Sequence, residues 1–374
     1  MSTPFTLTPS RMPLADAFKA VASQLIVLHH LAFYGPMSDF TEQWVPELVH
    51  WLSQHARQVV QVFLVLSGFF AARSLAPDGV LRTHQPWALL GKRYVTIVLP
   101  YVVALAVAVV CTALAARWMA HSSLPEPAEW GQFLAHALLL QGVLNVDSLS
   151  AGVWYVAIDF QLFALMLVLL WCARCMPDVA TAQRWTALVL VGGLAAWSLL
   201  EFNTDAGWDN WALYFFGAYA LGALAWWGTH ALSGGARQAV WALLLGVVAL
   251  ALVLDFRSRI ALALATAVVL ALAHASGVLY RWPRGAVWSY LGRISYAVFL
   301  MNFPVGLVVN AAFTRFAPPD VAVQTGGVLL AWGLTVLAGA AFFHCVEEPL
   351  RRWVQAPGSG WSLRLATLLG LKNR

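Results

Sequence analysis

The chain has 374 residues, of which 61% are hydrophobic and only 10% are charged. A soluble domain averages about 45–50% apolar and about 25% charged residues, so this composition excludes an ordinary water-soluble protein. The formal net charge is only +5, and we expect membrane lipids rather than nucleic acid around the chain.

Long apolar segments predict the helices of a membrane protein, because a helix needs roughly 17–25 apolar residues to cross the hydrocarbon core. We place about ten of them, at residues 17–34, 57–75, 88–117, 152–173, 185–201, 210–229, 237–254, 260–279, 288–313 and 322–345. The stretch 133–144 is too short to span and is expected to lie at the interface or to re-enter partway. The predicted fold is an all-α integral membrane protein in one bundle, whose first span is an uncleaved anchor.

The distribution of Lys and Arg predicts the orientation. If the N-terminus is cytoplasmic, five of the 22 basic residues fall on outside segments, which leaves 17 inside; the five are Arg57, Arg117, Arg257, Arg259 and Arg315. Because cytoplasmic loops carry an excess of Lys and Arg, we predict a multi-pass protein of the inner membrane with cytoplasmic N- and C-termini.

The first helix contains two ionisable residues that are costly inside a bilayer and therefore candidates for function. Lys19 and His30 are eleven residues apart, so they lie within about 20° of the same helix face and about 16 Å apart along the axis. Lys19 is expected at the cytoplasmic end and His30 in the outer half. An imidazole accepts and returns a proton near neutral pH, so His30 is the catalytic candidate, with a packing role as the alternative. His29 lies on another face and is interpreted as a packing residue.

Polar residues of three other helices extend this candidate site. Asp159 of the fourth helix is predicted at the depth of His30, where it would orient the imidazole; a structural hydrogen bond between helices is the alternative. A basic cluster is predicted at the inner side and either binds lipid head groups or holds a phosphorylated cytosolic ligand; it consists of Lys19, Arg73, Lys92 and Arg93.

Two short motifs are interpreted as structural. Ser67-Gly68 permits close approach of two helices. Cys172-x-x-Cys175 ends an apolar helix without a second cysteine pair or a nearby histidine, so we predict packing residues and no metal site.

Six segments occur in order along the chain: the Lys19 to His30 spacing, VFLVLSGFF (62–70), KRYVTIVLP (92–100), WYVAID (154–159), LGRISYAVFLMNFP (291–304) and VEEPLRR (346–352). Together they resemble the membrane-bound acyltransferase-3 family, whose members O-acylate bacterial surface glycans. The resemblance covers about residues 14–353. We therefore expect a single transmembrane acyltransferase domain over 1–353 and a short cytoplasmic tail over 354–374.

The resemblance implies an acyl-CoA donor, usually acetyl-CoA, which is a co-substrate from the cytoplasm and not a permanently bound cofactor. It implies an acceptor hydroxyl on an extracytoplasmic glycan or glycolipid. His30 matches the family's catalytic histidine, and Lys19, Arg73 and Arg93 match positions associated with donor binding or activity. Trp154 and Asn302 are the substrate-binding candidates, Asn302 through an acyl carbonyl or else as a helix contact. The chain departs from the family pattern at Lys19, Thr96, Asp159 and Asn302.

The sequence thus predicts an inner-membrane O-acyltransferase in which His30 is a general base or a transient acyl carrier. The alternatives are a transporter or flippase and a non-catalytic component of a polysaccharide export system. Transporters often contain internal repeats, and no repeat is visible in this chain. Exopolysaccharide machinery is a further expected partner.

Overall fold

A computed structural model describes residues 11–176 and 179–356. Within these ranges all regular secondary structure is helical, and eight helices are long and apolar enough to cross a membrane. The all-α membrane fold is therefore confirmed, whereas ten spans and cytoplasmic termini stay predictions. From residue 357 onward, the predicted tail lies outside the described residues.

The helices follow the predicted segments within a few residues. The long helices are α1 (Pro13–Phe33), α4 (Val60–Leu75), α5 (Pro86–Ala115), α7 (Trp154–Arg174), α8 (Ala180–Leu200), α9 (Ala212–His230), α10 (Gly234–Leu254), α11 (Ser258–Ser276), α12 (Ala286–Phe316) and α13 (Val321–Phe342). The short helices are α2 (Met37–Glu42), α3 (Pro46–Gln54), α6 (Trp130–Ala137) and α14 (Glu348–Gln355). The short apolar stretch 133–144 forms part of α6 and the turns that follow it.

Two of the ten predicted spans, α1 and α9, are not among the eight apolar helices. α1 carries Lys19 and two histidines within its 21 residues, which lowers its hydropathy. α9 is rich in glycine and aromatic residues, and every residue from 214 to 228 is buried by other helices. Both helices are thus surrounded mainly by protein, where lipid-like hydropathy is not required.

Glycines bring the helices of the bundle into close contact. A Cβ atom at Gly68 of α4 would overlap the backbone carbonyl of Tyr219 on α9, and one at Gly222 would overlap the carbonyl of Val65. The predicted role of Ser67-Gly68 in close helix approach is therefore confirmed. Gly292 of α12 lies in the same way against the backbone of Asp16 on α1. The contact between α1 and α12 positions the candidate site.

Candidate active site

Two large cavities lie toward opposite ends of α1. The first, named the Lys19 cavity, has a volume of about 960 Å³ and is bordered by the N-terminal half of α1. The second, named the His30 cavity, has a volume of about 810 Å³ and is bordered by the C-terminal half. The same four residues line both cavities and form the wall between them: Ile26, Val60, Tyr155 and Phe299.

The His30 imidazole is held by an amide from α12. Its Nδ1 lies 2.6 Å from Oδ1 of Asn302, and Nδ2 of Asn302 donates to the carbonyl of Phe299 at 2.8 Å. Because Oδ1 only accepts hydrogen bonds, Nδ1 of His30 carries the hydrogen and Nε2 keeps its lone pair. On the other side, a Cβ at Gly152 would come within 3.1 Å of His30 Cε1. The ring is thus fixed in position and in tautomer.

Asp159 does not contact this ring, so the prediction that it orients His30 is wrong. Asp159 lines the Lys19 cavity and accepts a hydrogen bond from Nη2 of Arg93 at 2.5 Å. Its side chain is 10% exposed, and a buried carboxylate requires a charged partner. The depth of Asp159 was inferred from its distance to the start of α7, and the structure places it below the wall between the cavities.

The two predicted substrate-binding residues have different surroundings. Asn302 is 2% exposed and uses both amide atoms within the protein, so it contacts His30 rather than the open cavity. Trp154 lines the His30 cavity, where its ring stacks on Phe215 with centroids 5.3 Å apart. His29 donates to the carbonyl of Leu52 at 3.0 Å, in agreement with a packing role.

The predicted basic cluster is only partly assembled. Lys19 and Arg93 line the Lys19 cavity, whereas Arg73 and Lys92 do not. Arg73 contacts Met12 through Nη1 and lies over the Trp226 ring, and Lys92 is exposed on α5. A position near the end of a helix was therefore not sufficient to predict which basic residues line the Lys19 cavity.

The sequence profile of the acyltransferase domain family, acyltransferase-3, matches residues 14–345, nearly the whole chain. The chain belongs to the acyltransferase-3 family. The resemblance drawn from the six motifs is thereby confirmed. No curated protein and no solved structure matches the chain.

Sequence reasoning missed several charged residues in this acyltransferase-3 domain. Arg293 and Arg351 line the Lys19 cavity, and their guanidinium groups lie 5.5 and 5.6 Å from the centre of the Phe343 ring. Glu347 lines the same cavity, and its Oε2 is buried without a hydrogen-bond partner. All three belong to motifs that carry the family resemblance, which is the signal that could have found them.

Cys172 and Cys175 are both exposed at the end of α7, so their interpretation as packing residues is wrong. Among the described residues of this family member, no group of three or more His, Cys, Asp or Glu side chains is placed to hold a metal ion.

Proposed function

We propose that this chain is an O-acyltransferase that moves an acyl group, in the first instance acetyl, from acyl-CoA to a hydroxyl of an extracytoplasmic glycan or glycolipid. The donor enters the Lys19 cavity from the cytoplasm, and the acceptor enters the His30 cavity from the outer side of the inner membrane. The observation that carries the proposal is that the two cavities adjoin beside His30, at the residues that line both, where a thioester from one cavity and a hydroxyl from the other would meet.

Charge supports the assignment of the donor side. CoA carries three phosphate groups, which proteins bind through charge-assisted hydrogen bonds from Lys and Arg. Arg293 and Arg351 line the Lys19 cavity and supply such donors, as does Lys19, whose Nζ is also 3.4 Å from the partly exposed carboxylate of Asp16. Arg93 is already paired with Asp159, so we assign this pair to the structure of the inner cavity rather than to phosphate binding.

The geometry of His30 supports general-base catalysis. Nε2 of His30 takes the proton of the acceptor hydroxyl while the hydroxyl oxygen attacks the thioester carbon. A C–O bond forms and the C–S bond breaks. The CoA thiolate leaves and takes the proton back from Nε2. Asn302 keeps the hydrogen on Nδ1, which leaves Nε2 free for both transfers. If Nε2 instead receives the acyl group first, rapid denaturation after mixing with labelled donor traps label on the protein.

Acyl transfer by the purified chain in lipid nanodiscs tests the proposal. With radiolabelled acetyl-CoA and a glycolipid extract, His30→Ala should lower ester formation by about 10²–10⁴-fold, the usual contribution of a general base. His29→Ala is the matched control: His29 borders the same cavity, but its Nδ1 donates to the backbone carbonyl of Leu52, so the variant should retain most of the activity. Unchanged transfer by His30→Ala would show that this residue is not catalytic.

A transporter is the second candidate, because cavities toward opposite ends of a bundle also suit alternating access. Movement of labelled glycolipid across proteoliposomes, without ester formation by the wild type, would favour it.

A further inference from the structure

Two arginines lie at the start of α11, where helices normally carry acidic or small polar residues. Arg257 is the N-cap residue and Arg259 is the second residue of the helix. The first turn has no acidic residue, and no side chain caps it. Because a helix N-terminus is partially positive and favours anions, two cations there oppose helix stability. Residues that break a local rule in this way commonly serve a function.

Neutral oxygen atoms hold both guanidinium groups in place. Arg257 donates from Nη1 to Oδ1 of Asn203 at 2.8 Å and from Nη2 to the carbonyl of Leu199 at 2.9 Å. Arg259 donates from Nη2 to the carbonyl of Asn203 at 2.8 Å. Asn203 is 2% exposed, so one buried residue fixes both arginines. The two side chains are thus positioned before any ligand binds.

The positive charge of this pair is incompletely neutralised. Arg257 lies 3.3 Å from the carboxylate of Asp255, which is 56% exposed, and burial lowers the pKa of Arg257. Arg259 has no ion-pair partner among the described residues, and its Nε is buried without a hydrogen-bond partner. Its guanidinium lies 4.9 Å from the centre of the Tyr214 ring. Because Arg259 is only partly buried and lines the His30 cavity, its charge is available to an anionic group there.

Both arginines line the His30 cavity, together with Arg57. Three of the five basic residues assigned to the outer side therefore border this one space, although Asp209 and Asp255 border it too. We infer that the acceptor is anionic, and that its phosphate or carboxylate binds at Arg259 and the first turn of α11 while its hydroxyl reaches His30. This inference rests on the proposed function and specifies its substrate class.

Anion-exchange separation of the acylated product tests this inference. Full-length chain in nanodiscs is supplied with radiolabelled acetyl-CoA and a glycan and glycolipid extract from cells that lack the chain. After unreacted acetyl-CoA, which is itself anionic, has been removed, the alkali-labile label of the product should bind the resin. Loss of this binding after mild acid, which cleaves prenyl phosphates, identifies phosphate; loss after carbodiimide coupling identifies carboxylate.

Substitutions at Arg259 supply the second readout. Arg259→Gln should raise the KM for the extract about tenfold, as expected for the loss of one charge-assisted hydrogen bond, and leave the KM for acetyl-CoA unchanged. Arg259→Lys should restore part of the affinity for the extract, and its activity would show that a chain substituted at this position still folds. Arg315→Gln is the control, because Arg315 is exposed at the end of α12 and does not line the cavity.

The outcomes separate this inference from the proposed function. A neutral labelled product, formed in a reaction that requires His30, would overturn the anionic acceptor and leave the acyltransferase intact. An unchanged KM for the extract in Arg259→Gln would also overturn the assigned anion site. Absence of any transfer by the wild type would overturn the proposed function and this inference with it.

Discussion

The two cavities hold their polar groups in different ways. In the Lys19 cavity, the Arg93 guanidinium and the Asp159 carboxylate neutralise each other at 2.5 Å. In the His30 cavity, the imidazole is held by the neutral amide of Asn302, and Arg259 by a backbone carbonyl. An ion pair suits a charge that remains constant, whereas an amide fixes a ring without adding a charge of its own. This difference agrees with a structural role for the first pair and a reactive role for the second.

The largest effect is expected on stability, from breaking the ion pair of the Lys19 cavity. Asp159→Ala should lower the free energy of unfolding by roughly 2–4 kcal/mol, because it leaves a guanidinium without its partner inside the bundle. The Arg93 side chain is 38% exposed to the cavity, which moderates the loss. Thermal unfolding in detergent measures the change. The double variant Arg93→Met, Asp159→Leu should recover stability; if it does not, the pair is not primarily structural.

In the His30 cavity, removing the amide should reduce turnover rather than binding. Asn302→Ala should lower kcat for acyl transfer by about 10²-fold, because a misplaced catalytic group can cost that much. The KM for acetyl-CoA should not change. Asn310→Ala is the matched control, since Asn310 is also buried on α12 but accepts from the backbone N–H of Met37. Equal losses of kcat in both variants would contradict a positioning role for Asn302.

A methyl group added at Gly152, beside the His30 imidazole, should distinguish backbone strain from a direct effect on catalysis. Gly152 has φ +80°, and a Cβ there would approach both His30 and Phe299 at 3.1 and 3.2 Å. Gly277 has φ +76°, but its nearest neighbour would be 3.7 Å away. Alanine should destabilise both sites by about 1–2 kcal/mol through the left-handed backbone, and only Gly152→Ala should lose about tenfold in kcat. Parallel kinetics and unfolding of the two variants test this.

The charges at the Lys19 cavity should affect donor binding only. Arg351→Gln should raise the KM for acetyl-CoA about fivefold, because one of several phosphate contacts is lost. Arg352 is adjacent on α14 but pairs with Glu348 at 2.8 Å and does not line the cavity. Arg352→Gln should therefore leave the KM unchanged. A similar rise in both variants would indicate a general effect of surface charge.

The smallest effect is expected from acidification, which should loosen residues 138–152 beside the His30 cavity. Burial lowers the pKa of His136 below its ordinary value of 6.5. The uncharged ring donates to the carbonyl of Gln132 and accepts from the N–H of Leu149. The unfolded chain binds the proton more readily, so this stability is complete above about pH 6.5 and falls as the pH drops below it.

Hydrogen exchange detects this loosening. Once exchange rates are divided by the intrinsic rate at each pH, which is itself slower in acid, residues 138–152 should be less protected at about pH 5.5 than at about pH 7.5, while the helices around the Lys19 cavity change little. His136→Ala should remove the pH dependence of the segment. Equal acceleration around both cavities would show that His136 is not its source.

Much of this protein follows from local features of its sequence. The length and hydropathy of each apolar segment predicted the long helices, since these properties depend only on neighbouring residues. The choice of His30 over His29 followed from the register with Lys19, because residues eleven apart share a helix face. The order of six short motifs predicted the family, which the profile over residues 14–345 confirms.

The partners of the polar residues depended on the tertiary structure. Asp159 and Asn302 were both recognised, but Asn302 holds the His30 ring in the place predicted for Asp159, and Asp159 pairs with Arg93 instead. The distance of a residue from its helix end does not determine which side chain of another helix lies opposite it. For the two arginines at the start of α11, the sequence predicted only that they lie on the outer side. The structure shows that both bond to Asn203 and line the His30 cavity. Helical periodicity determines which residues share a face, whereas only the packing of helices distant in sequence determines what that face meets.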